Sequence, residues 1–126
     1  MDLGVFEESQ NLAEEGQWME VETPGGEGTD IHLKLAGSDS SYYQKQIQTQ
    51  QRKMLKKKKF NKTPEEIEND NIELLAACTL DWQNVAYKEE SLDCTKYNVR
   101  WLYKAFQLIR EQIDEFIGDR SNFLPS

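Results

Sequence analysis

Few side chains in this chain could do covalent or metal chemistry. The only histidine is His32, and the only cysteines are Cys78 and Cys94. The cysteines form no CxxC and His32 is far from both, so no zinc site of the usual spacing is expected. Cys94 stands beside a helix start, a place that can lower a thiol pKa, but no base of known pattern accompanies it. Glu111, Asp114, Glu115 and Asp119 share the polar face of one helix with Arg110 and Arg120. That spacing suits i,i+4 ion pairs such as Arg110–Asp114, and it lacks the Glu-x-x-His pattern of a carboxylate-bridged metal site. The stretch 24–30, PGGEGTD, holds three glycines. It has no GK[ST] end and leads into a strand, so it reads as a hairpin loop rather than a phosphate cradle. No nucleophile elbow, P-loop, HExxH or catalytic Cys/His pair is present. The residues point to a protein that binds rather than catalyses, with no cofactor and no metal.

Charge is segregated along the chain. Residues 1–30 hold nine acidic residues and no Lys or Arg. Residues 52–62 hold seven basic residues and no acidic ones, and residues 65–73 hold five acidic residues and no basic ones. The basic run, with Lys56, Lys57, Lys58 and Lys59 at its centre, could contact nucleic acid as a regulator would. It contains one aromatic residue, Phe60, and no RGG or RNP pattern, and acidic segments flank it. A solvated helix end or a protein-docking patch is the better reading. The net charge of −8 opposes general binding to nucleic acid or anionic membranes. No apolar run approaches the ~20 residues that span a bilayer, and the acidic start is unlike a secretory signal. Two ordinary thiols fit a reduced cytoplasmic setting.

The elements that must position these residues are legible from periodicity. The most apolar stretch is 95–123. Val99, Leu102, Tyr103, Phe106, Ile109, Ile113, Phe116 and Ile117 follow the spacing of one helix face. Thr95 suits an N-cap, Gly118 a stop, and a break is expected near residues 105–108. Residues 18–23 and 31–36 alternate as strands around the Pro-Gly loop, giving a β-hairpin in which Met19 and Val21 share one face of the first strand, Ile31, Leu33 and Leu35 share one face of the second, and His32 faces solvent. After the break at residues 37–41, a helix with a narrow apolar stripe runs through Tyr43, Ile47 and Met54. Thr63-Pro64-Glu65-Glu66 starts the next helix, which ends near a buried Cys78 and a core-closing Trp82. Residues 85–92 form a short second hairpin or an irregular loop. The expected fold is α+β: an N-terminal β-hairpin packed on a mainly helical unit of three to four helices. Residues 1–16 are expected as a mobile acidic arm, or a short helix that orders on a partner, and residues 17–126 as one domain. Leu33, Leu74, Leu75, Trp82, Leu102, Phe106, Ile113 and Phe116 are the expected core.

EEGQWMEVETP, IHLKLAGSDSSYY, ELLAACTLDWQNV and NVRWLYKAFQLIREQIDEFIGDRSNFL together resemble a group of small tailed-bacteriophage proteins, the tail assembly chaperones and related minor tail-region proteins. LAGSDSSYY and REQIDEFIGDRSNF are the most specific pieces, and the resemblance covers residues 14–124. Members often carry a proline near residues 106–108, which this chain lacks. The resemblance implies no catalytic residues. It implies binding of the tape-measure protein, and of other tail proteins, in the host bacterial cytoplasm while the tail tube polymerises. A minor structural protein of the virion from the same region is the alternative.

The 95–123 stretch carries more apolar surface than one hairpin and two narrow helices would cover. Part of its end should therefore stay accessible or be covered by a second copy. Phe116, Ile117, Phe123 and Leu124 are the candidates for partner binding. The competing arrangement folds Phe123 and Leu124 back as a staple on the helix end.

Overall fold

A computed structural model describes residues 1–58 and 61–125. In chain order its elements are α1 (Gly4–Glu15), β1 (Gln17–Glu22), β2 (Gly28–Leu35), α2 (Ser41–Lys57), α3 (Pro64–Ala77), β3 (Thr79–Gln83), β4 (Ala86–Tyr87), β5 (Glu90–Ser91), α4 (Lys96–Ala105) and α5 (Gln107–Gly118). A short 3-10 helix, Arg120–Phe123, follows. The fold is α+β, with the N-terminal hairpin β1–β2 packed on the helices.

The hairpin has the expected facing. Met19 lies opposite Leu33 and Gln17 opposite Leu35, so Met19, Val21, Leu33 and Leu35 all point into the core. A third strand, β3, pairs antiparallel with β2 and completes a sheet of order β1-β2-β3. From sequence, Trp82 belonged to the end of a helix. It is buried as expected, but it stands on β3 opposite Leu33, with its indole N–H donating to the Leu92 carbonyl at 2.8 Å. The β4–β5 hairpin turns through Lys88 and Glu89, both at positive φ (49° and 71°). Two consecutive positive φ values are what a two-residue hairpin turn needs to match strand twist.

Capping fixes the helix starts. Ser40, Thr63 and Thr95 each accept a hydrogen bond from the backbone N–H three residues on. α2 buries no side chain and packs on one side only. The long apolar stripe is broken at Phe106, where φ −124° and ψ 87° leave the helical region. No proline or glycine forces this break. The Arg110 guanidinium donates to the Tyr103 carbonyl at 2.9 Å, satisfying a group that the interrupted ladder leaves free. The break lets α4 pack on α3 while α5 turns onto β1. There, the Gln112 amide bonds both the N–H and the C=O of Glu22 at 2.9 Å, closing the edge of the sheet at that residue.

Residues 1–16, read from sequence as a mobile arm, contain helix α1, and its last turn is tied to the body. Ala13 is buried, its carbonyl accepts from the Gly37 N–H at 2.9 Å, and Glu14 accepts from both the N–H and the hydroxyl of Ser41. Gly37 has to be glycine for this approach. A Cβ there would sit 2.9 Å from the Ala13 Cβ and 3.0 Å from a ring carbon of Phe123. The acidic, lysine-free composition of the segment concealed this small-residue contact.

Candidate functional site

The C-terminal residues expected to form a partner surface are largely core. Ile117 and Phe123 are 1% and 2% exposed, and Phe116 is half-buried against Phe123, with ring centroids 5.7 Å apart. The Asp119 side chain accepts from the Ser121 N–H at 3.0 Å and starts the 3-10 turn. The Asn122 amide then donates to the Phe116 carbonyl at 3.0 Å, which returns Phe123 beneath α1 and Gly37. Burying a phenylalanine contributes on the order of 1.5–3 kcal/mol. The Arg120–Asp39 pair beside it lies in solvent, where an ion pair contributes little, so apolar burial sets the turn. Leu124 alone of the four is exposed, facing α1 beside Leu12. The staple, not the open patch, is what the chain forms.

The basic run ends α2. Lys56, Lys57 and Lys58 are exposed, and Lys58 adopts the left-handed conformation, φ 53°. Lys59 and its neighbour Phe60 lie outside the described residues. Lys62 pairs with Asp70 on α3, and the Gln50 amide donates to the Asp70 carbonyl at 2.8 Å. Arg52, Lys53, Lys56, Lys57 and Lys58 form no ion pair among the described residues. The Arg110–Asp114 pair expected from spacing is absent. Arg110 reaches Glu68 on α3 at 3.1 Å and is largely buried. A cation placed N-terminal to its acid is the weaker i,i+4 order, and the open Tyr103 carbonyl draws the guanidinium the other way.

An open apolar groove lies where the helix breaks. Phe106, expected in the core, is 39% exposed and Leu108 is 41% exposed. With Val21, Pro24, Ile31 and Ala105 they line a groove of about 430 Å³ between the hairpin and the α4–α5 junction. The volume falls in the ordinary range of ligand and side-chain pockets. An aromatic series extends from it. Phe106 meets Trp101 edge-on at 5.9 Å, and Trp101 meets Tyr87 at 5.0 Å. Tyr97, one turn before Trp101, is 79% exposed. Sequence periodicity missed this site because the stripe runs through Phe106 without a visible gap. Only the suspected break held a signal, since a non-helical residue rotates those beside it off the core face.

The site's surroundings are binding-like. Glu22 lines the groove. Glu27 is tied to the lining residue Thr23, and Glu111 accepts from the lining Gln107 at 2.9 Å. Elsewhere, burial pushes the Cys78 thiol up to about 12. Burial, helped by Asp81, also raises Cys94, against the expectation for a helix start. A thiol kept protonated is a poor nucleophile. Among the described residues no three His, Cys, Asp or Glu side chains gather as a metal would require, and no helix is long and apolar enough to cross a membrane. Compared with protein-family models, curated proteins and solved structures, the chain matches none.

Proposed function

We propose that this chain is a non-catalytic binding protein, a tailed-bacteriophage tail assembly chaperone that holds the tape-measure protein in the host cytoplasm during tail assembly. The observation that carries the binding reading is the open apolar groove at the α4–α5 break, continued by the Phe106–Trp101–Tyr87 series. A concave apolar surface of this kind receives the apolar face of an amphipathic helix, side chain by side chain. The tail-assembly reading comes from the sequence resemblance, and a long helical client with exposed apolar stripes suits such a groove. The charge of −8 keeps a protein with an open apolar site from associating indiscriminately. Protein analysis of purified phage particles tests the chaperone role. A chaperone is absent from finished particles, whereas stoichiometric recovery in them would make the chain a minor structural protein instead.

A further inference from the structure

We infer that the groove also receives the tip of α2 from a second copy of this chain. The two surfaces complement each other in polarity and in charge. The groove offers Phe106, Leu108 and Ile31 as its floor, with Glu22 in its lining and the Glu111 carboxylate bonded to the lining Gln107. Cations near that floor are already engaged: Lys104 and Arg110 both pair with Glu68, and Lys88 lies over the Tyr87 ring. Uncompensated charge at the groove is therefore acidic. The α2 tip has the opposite character. Leu55 is 64% exposed, and Arg52 and Lys58 flank it at i−3 and i+3 on a helix with no fully buried residue. A lone exposed leucine needs no explanation by itself. Arg52, Lys56 and Lys58 lie on its side of the helix, form no ion pair among the described residues, and match it to the open apolar groove lined by Glu22 and bordered by Glu111.

The overall charge of −8 repels copies from one another. Screening at about 0.1 M salt limits the reach of any charge to ~10 Å, so the facing patches decide the contact. Tip and groove are different surfaces, so the contact either propagates head to tail or closes by reciprocal exchange between two copies. It stands on the groove's geometry and does not depend on the identity of any client.

Sedimentation equilibrium on the full chain tests this. Wild-type protein should associate with rising concentration, and the association constant should fall roughly tenfold between about 0.1 M and about 1 M salt as the screening length shrinks to ~3 Å. The tip variant Arg52→Ser with Lys56→Ser, and the groove variant Glu22→Gln with Glu111→Gln, change exposed residues without creating a new charge match and should each be monomeric. Mixed together, they leave one intact tip and one intact groove and should form a 1:1 dimer that grows no further. A monomeric wild type, variants that associate like wild type, or a mixture that stays monomeric would each overturn the inference.

Discussion

The hydrogen bond between Thr79 and Tyr103 ties β3 to α4 inside the core, and its direction can be worked out. The Thr79 hydroxyl donates to the Leu75 carbonyl at 2.8 Å, which uses its only proton. Tyr103, 0% exposed, must therefore donate to Thr79 across the 2.6 Å contact. Burial holds the Tyr103 phenol above its ordinary range, so it keeps that proton. Thr79→Val preserves shape but strands a buried phenol O–H, a loss on the order of 1–3 kcal/mol. Leu75 O still accepts from the Cys78 N–H at 3.2 Å. Tyr103→Phe removes the donor and leaves Thr79 bonded to Leu75, a loss of about 0.5–1.5 kcal/mol. The double variant contains no stranded group and should be more stable than Thr79→Val alone. Urea denaturation at neutral pH measures all three, with the slope unchanged if only stability moves. If Thr79→Val is no worse than Tyr103→Phe, or if the double variant loses at least the sum of the two, the assigned direction is wrong.

Three further outcomes follow from the same structure. Phe123→Ala should lose about 3–5 kcal/mol of stability by denaturation, while Leu124→Ser should stay within about 0.5 kcal/mol of wild type. Equal effects would contradict the staple. In thiol titration of native protein, Cys94 should react slowly and Cys78 only on unfolding, because Cys78 is fully buried; rapid labelling of Cys78 would contradict its placement. The Arg120 hydrogen bond lowers the Asp39 pKa, and the Ser41 hydroxyl and N–H lower that of Glu14. A folded pKa below the unfolded value gives stability that is full at neutral pH and lost as pH falls through the folded values, below the ordinary carboxylate range. Hydrogen exchange should show α1 and the C-terminal turn losing protection in that range before the sheet does, and Asp39→Asn should remove part of that dependence.

What could be read from sequence was whatever depended on local chemistry. Thr95 and Thr63-Pro64 cap helices because a side-chain oxygen and a backbone N–H three residues on are all that a cap requires. Leu33 is core as expected, and Leu35 shares its face because alternation fixes facing. β3 was hidden because TLDWQ has a strand's identity only beside β2, and a bulge interrupts its register there. Phe106 and Phe123 exchanged roles for the same kind of reason. One non-helical residue turned Phe106 outward, and a side-chain-capped turn brought Phe123 in from beyond the periodic stripe. The groove exists only through that exchange, so no window of sequence displayed it.

Co-expression with a phage tape-measure protein is the most direct test of the proposed binding role. The wild-type chain should keep that protein in solution and co-purify with it. A variant carrying Phe106→Ser and Leu108→Ser should lose the co-purification while keeping its denaturation midpoint, since both side chains are already partly exposed. Undiminished co-purification by that variant, or loss of it only on changing Lys56, Lys57 and Lys58, would contradict the groove as the binding site.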